Sequence, residues 1–188
     1  LLASKGIDYV YNMACNMGGM GFIENNKAEC MLSVLINTNM LRSCLKNNIK
    51  KYFFSSSACV YNAQKQKNTF VPGLKEEDAY PAEPEDGYGW EKLFSERLYL
   101  SYYRNYNLNV RIARFHNIFG PEGTWTDGKE KAPAAMCRKV AEAENNSSIE
   151  VWGDGTDLKD FLYIDDFIDG LILAMKKLDE SEPINIAS

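Results

Sequence analysis

A single histidine in 188 residues excludes any multi-histidine metal centre. The five cysteines, at 15, 30, 44, 59 and 137, form no metal-type spacing and sit mostly in apolar segments. Free thiols in a reducing, cytoplasmic setting are therefore expected. No apolar run is long enough to span a bilayer, and no signal-peptide pattern is present. Lys and Arg number 21 against 26 Asp and Glu, giving a net charge of −5 without a basic cluster. Nucleic-acid and membrane-surface partners are not expected, although a local cationic pocket could still take an anionic nucleotide. Neither Gly-x-Gly-x-x-Gly nor Gly-Lys-Ser occurs, so these residues carry no dinucleotide or Walker phosphate loop.

What is present suits one globular unit, 45% hydrophobic and 25% charged. Residues 8–14 are β-rich and end in Cys15-Asn16-Met17-Gly18-Gly19-Met20-Gly21-Phe22, where three glycines let a backbone approach a ligand closely or simply make a strand-to-helix loop. A helical pattern covers 27–47, an apolar strand 51–57, a helix 87–105 and a strand 109–115. Between them, 62–86 is polar with Pro72, Pro81 and Pro84, and reads as a surface excursion. This alternation predicts an α/β fold with a parallel sheet covered on both faces. From Gly120 the texture changes to a turn-rich loop over 120–128 and a helix opened by Glu130-Lys131-Ala132-Pro133. Short strands at 149–152 and 161–166 follow, then an amphipathic helix to Lys177 and a strand from Ile184. The expected division is 1–119 and 120–188, with 161–170 and 184–188 returning to the first core. A doubly wound nucleotide domain also needs a first β-α-β unit, absent here, so the chain is read as the middle of a longer protein.

Two stretches carry chemistry. In Asp86-Gly87-Tyr88-Gly89-Trp90-Glu91-Lys92, Tyr88 and Lys92 are four apart and share a helix face. A phenol near pKa 10 is a poor base, and a neighbouring ammonium is expected to draw it toward neutrality. Such a pair can take a proton from an alcohol while a hydride leaves the same carbon. The spacing alone equally fits a core tyrosine beside a solvated lysine. Upstream, Lys51-Tyr52-Phe53-Phe54 breaks into Ser55-Ser56-Ser57-Ala58-Cys59-Val60-Tyr61, a buried strand delivering hydroxyls at its carboxyl end. Open α/β sheets bind ligands at that end.

Together with Arg111-Ile112-Ala113-Arg114-Phe115-His116-Asn117-Ile118-Phe119-Gly120-Pro121, these motifs resemble the extended short-chain dehydrogenase/reductases, NAD(P)-dependent enzymes of nucleotide sugars. The resemblance covers essentially the whole chain and implies a Rossmann-like doubly wound sheet with a smaller α/β substrate-binding region. Met17 to Ile23, Ser56 to Tyr61, Arg114 to Trp125 and Glu130 to Ala135 are similar to the branch of the family that inverts C3 and C5 of GDP-mannose. By that resemblance NAD is the cofactor, held by Ala14, Ser55, Tyr88 and Lys92. Tyr88 would be the base at the C4 hydroxyl, Lys92 its partner and Ser57 a donor to O4. Cys59 and Lys131 would exchange protons at the inverted centres, a thiol near pKa 8.5 being able to do so near neutrality. Gly18, Ser57, Ala58, Cys59, Tyr88, Asn117, Glu130, Lys131, Ala132, Lys139, Asp157 and Lys159 would line the substrate, with His116 either approaching it or held at its strand end. Asp157-Leu158-Lys159 departs from the family's usual amide and arginine, which bears on guanine and diphosphate preference. A 4-epimerase, a 4,6-dehydratase or a catalytically silent binding relative are the competing expectations. A homodimer through the helix carrying Tyr88 and its neighbour is also implied.

Overall fold

The computed structural model describes residues 4–67, 73–156 and 158–188; Leu1 to Ala3, Pro72 and Asp157 lie outside them. Four parallel strands make the main sheet in the order β1 (Tyr9–Asn12), β2 (Lys51–Ser57), β3 (Val110–Phe115) and β6 (Ile184–Ile186). The register sets Tyr9 beside Lys51, Tyr52 beside Val110 and Ala113 beside Ile184, so the strands' carboxyl ends lie along one edge.

The apolar runs of β2 and β3 serve both faces, as strands buried between helix layers must. On one face Tyr52, Phe54, Val110 and Ile112 pack with Leu41, Cys44, Tyr99 and Leu100, which belong to α3 (Ser33–Lys46) and α4 (Gly87–Tyr106). On the other, Phe53, Ala113 and Phe115 pack with Phe167, Leu171, Ala174 and Met175 of α6 (Ile164–Lys177). Period-two alternation thus sends Arg114 toward α4, where its guanidinium meets both carboxylate oxygens of Glu96 at 2.9 and 2.8 Å.

Several boundaries differ from the sequence reading. The glycine-rich stretch leads into a short helix, α1 (Met20–Asn25), and the pattern over 27–47 is split at Leu32 into α2 (Lys27–Met31) and α3. Residues 149–152 form no strand: they are exposed and pair with no strand among the described residues, so β-propensity alone does not order them. The strand expected over 161–166 stops at Tyr163, because Asp165 and Asp166 sit in the first turn of α6, where carboxylates suit the helix dipole. β4 (Asn117–Phe119) and β5 (Phe161–Tyr163) pair in a separate two-stranded sheet, and α5 (Ala132–Glu142) follows the irregular loop 120–131. Part of the 62–86 excursion is packed down: Ala79 is buried with Val60, Tyr61 and Leu93 of α4.

Candidate active site

Local sequence sets each wall of the site. Asp86 caps α4, its carboxylate accepting from the Tyr88 N–H at 2.8 Å, so the helix begins just before Tyr88. Gly89 then lets that first turn lie against the 58–60 turn that follows β2: a Cβ there would stand 2.2 Å from the Cys59 carbonyl oxygen. A second glycine makes the opposite wall. Gly19 N–H donates to the Lys129 carbonyl at 3.0 Å, and a Cβ at Gly19 would stand 2.3 Å from the Glu130 oxygen. The close approach expected of these glycines toward a ligand is therefore spent on the backbone of 129–130. That contact carries Lys131, the residue preceding α5, to the sheet edge.

The residues so gathered pack as one cluster, with Tyr88, Ile23 and Cys30 buried against Cys15, Met17, Phe22 and Cys59. Lys92 is 2% exposed. Its ammonium donates to the Ser55 carbonyl at 2.8 Å and lies 4.9 Å from the Phe54 ring centroid and 5.6 Å from that of Tyr88, so the lysine is a buried partner of the tyrosine. The Ser57 hydroxyl accepts from the Cys59 N–H at 3.2 Å and lies close enough to the Tyr88 phenol to favour its ionised form.

The electrostatics correct two expectations. Burial holds the Tyr88 phenol well above its ordinary value; the charges of Cys15, Cys59 and Glu91 add to this, and the Ser57 hydroxyl only partly opposes it. Loss of hydration thus outweighs the neighbouring ammonium in the protein by itself. Burial likewise pushes the Cys59 thiol up, against the Ser57 hydrogen bond and the charge of Lys131. Lys131 moves the other way, lowered by burial and held up in part by Cys59 and Cys15. Burial therefore disfavours the charged form of both the thiol and the amine.

Tyr88, Lys92, Ser55, Ser57, Cys59 and Lys131 therefore lie near one another; Gly18 is buried, Ala58 half-buried and Ala132 exposed. Ala14 is exposed at the carboxyl end of β1, its N–H donating to the Asn12 side chain at 3.3 Å. Glu130 turns instead to Arg138, at 2.8 Å. Lys139 reaches the Glu150 carbonyl at 2.6 Å, along a groove with Ser147 and Ser148. Asn117 on β4 donates to the Asp160 carbonyl at 3.2 Å, and His116 lies 3.5 Å from the Asp160 carboxylate, the strand-end alternative for that histidine. Lys159 is exposed, and Asp157 is outside the described residues. Cys15 was missed as a site residue. The signal was its place just past a strand's carboxyl end, the same rule that found Ser57.

A parallel sheet with a helix-borne Tyr–Lys pair and a serine converging at its carboxyl edge defines the short-chain dehydrogenase/reductase type of enzyme fold. The chain belongs to the NAD dependent epimerase/dehydratase family, which it matches over residues 1–187. GDP-mannose 3,5-epimerase of Arabidopsis thaliana is 46% identical over 189 residues, covering 100% of this chain and 49% of that protein. GDP-mannose 3,5-epimerase 1 of Oryza sativa subsp. japonica gives the same identity and coverage, whereas GDP-L-fucose synthase of Escherichia coli (strain K12) is 26% identical, covering 95% and 56%. Among solved structures, UDP-N-acetylglucosamine 4-epimerase from Methanobrevibacter ruminantium M1 superposes with a TM-score of 0.82 at 26% identity, over 99% of this chain and 56% of that one. The chain spans about half the length of the curated relatives it matches.

Proposed function

We propose that this chain forms the chemical centre of an NAD-dependent enzyme that epimerises GDP-mannose at C3 and C5 to GDP-L-galactose. The observation that carries the reading is the convergence of Cys59 and Lys131 on Tyr88, Lys92 and Ser57, beside 46% identity to plant enzymes bearing that name. The donor set fits a dinucleotide: an ammonium offers three N–H donors, and Lys92 spends one on Ser55, leaving others for ribose hydroxyls. NAD, when bound, supplies the acceptor and later the donor of the C4 hydride. Tyr88 takes the proton of the C4 hydroxyl, with Ser57 holding O4. With C4 at the ketone level, the hydrogens at C3 and C5 lie alpha to a carbonyl. Inversion then needs one group to remove a proton and another to deliver one from the opposite face. Cys59 and Lys131 come from different walls of the site and supply that pair. Ala14 and Ser55 border the cofactor. Gly18, Ala58, Asn117, Glu130, Ala132 and Lys139 border the nucleotide sugar, with Lys159 and Asp157 next along the chain.

A second copy of the chain is the macromolecular partner we infer. α3 and α4 pack side by side, and apolar side chains remain exposed on both and at the turn before α3: Leu32, Leu35 and Ile36, and Trp90 and Phe94. A patch of this kind favours self-association. Five unpaired cysteines suit a reducing, cytosolic compartment. The test incubates the full-length enzyme with GDP-mannose in deuterated water and locates deuterium by NMR. Deuterium at C3 and C5, lost in Cys59→Ser, is the expected result. Turnover of another nucleotide sugar without exchange into GDP-mannose would overturn the substrate assignment.

A further inference from the structure

The first turns of α4 hold a buried carboxylate that the chemistry above leaves unused. Glu91 is 3% exposed, three residues after Tyr88 and next to Lys92. One of its oxygens, Oε1, accepts from Asn37 Nδ2 at 2.7 Å and from Ser95 Oγ at 2.7 Å. The other, Oε2, is buried with no hydrogen-bond partner among the described residues. Asn37, itself fully buried on α3, accepts through Oδ1 from Asn12 Nδ2 at 2.9 Å and from the Tyr99 hydroxyl at 3.2 Å. Asn12 in turn accepts from the Ala14 N–H at 3.3 Å. A continuous hydrogen-bonded path therefore runs from the carboxyl end of β1, through α3, to the turn that bears Tyr88 and Lys92. A bare carboxylate oxygen away from water is costly, and a fold retains one where something is gained from it.

We propose that Glu91 is a positioning residue for the Tyr88–Lys92 pair: anchored through Asn37 and Asn12 to the end of β1, its carboxylate fixes the first turns of α4 and sets the field at the phenol. The inference rests on Tyr88 being the base. The groups around that phenol are Lys92 and Glu91 from its own helix with Asp86 at its cap, Ser57 and Cys59 from the end of β2, Cys15 from the end of β1, Cys30 from α2 and Lys131 before α5. The Glu91 carboxylate adds the negative charge that opposes ionisation of the phenol.

The test is made on the full-length enzyme with three variants. Tyr88→Phe is the control. Glu91→Gln keeps an acceptor for Asn37 and Ser95 and removes the charge. Its melting temperature and KM stay near those of the parent, while the limb of kcat/KM that reports the base moves to lower pH. Asn37→Ala keeps the charge and cuts the anchor, so kcat falls roughly ten- to a hundredfold at unchanged KM, the penalty of a misplaced catalytic group, and the limb does not move. An inactive Tyr88→Phe together with an unshifted Glu91→Gln profile overturns the inference and leaves the base assignment standing. Parental kcat in Asn37→Ala overturns it too, even if Glu91→Gln does not fold. An active Tyr88→Phe removes the base assignment and this inference with it.

Discussion

Replacing Gly89 by alanine probes how the site is assembled, because one methyl group is set against the carbonyl that carries Cys59. The new Cβ would lie 2.2 Å from the Cys59 oxygen, 2.9 Å from Pro84 Cβ and 3.1 Å from the Cys59 carbonyl carbon. An ordinary contact needs roughly 1 Å more, and two of the three obstacles are backbone atoms that cannot swing aside. Overpacking of this kind costs about 1–3 kcal/mol. The helix propensity gained by losing a glycine returns no more than about 1 kcal/mol. A net loss of about 1–2 kcal/mol lowers the melting temperature by roughly 2–4 °C per kcal/mol for a unit of this size. The kinetic effect is larger than the thermal one: relief requires α4 to back away with Tyr88 on it, and a displacement of about 1 Å can cost a hundredfold in rate. Gly87→Ala is the internal control two residues earlier. There the Cβ meets the Met31 Cγ and Sδ at 3.0 Å, the end of a flexible side chain that can move. Melting curves and kcat on the full-length enzyme decide the matter. Parental kcat and stability in Gly89→Ala would refute the argument that this glycine exists to bring α4 onto the Cys59 turn.

Two further outcomes follow from the same site and its outer face. Burial holds Lys131 below its ordinary value of 10.5, so the folded chain gives up that proton before the unfolded chain does. The charged amine then costs stability at every pH below the lowered value, and the cost fades as pH rises through the window up to the ordinary one. Lys131→Met should therefore raise the melting temperature most near neutrality and least at alkaline pH, while abolishing deuterium exchange; a gain that grows with pH would refute this. Phe94→Glu places a charge in the exposed apolar surface of α4 and should shift the sedimentation coefficient from dimer to monomer, with the isolated fold intact by circular dichroism.

The parts of the fold that were legible in the sequence are those where burial and chemistry agree. β2 announced itself because Tyr52 to Phe54 must be apolar on both faces, and its break into serines marks the carboxyl end. α4 was legible from its Tyr–Lys spacing, whereas its cap at Asp86 and its left-handed end at Asn107 are local signals that only the structure brought out. What escaped was decided by contacts distant in sequence. Nothing near residue 149 shows that Ile149 to Trp152 will have no strand to pair with. Nothing near Gly19 shows that its partner is the backbone of Lys129 and Glu130, because that contact bridges 110 residues of chain. Cys15 was passed over for a related reason: one thiol past a strand looks like core until Lys131 and Tyr88 arrive from elsewhere.

The pKa directions carry the argument one step further. A Tyr–Lys pair is commonly reasoned about as a phenol already poised to ionise, yet here burial holds the phenol well above its ordinary value and raises the Cys59 thiol too, while it lowers Lys131. Behind these atoms lie Lys92, 5.6 Å from the tyrosine ring centroid, and Glu91, held against α3. A layer of that kind resists reorganisation, because Lys92 is tied to the Ser55 carbonyl and Glu91 to Asn37. Burial opposes ionisation of the phenol, so a positive charge brought close to it would favour the ionised form.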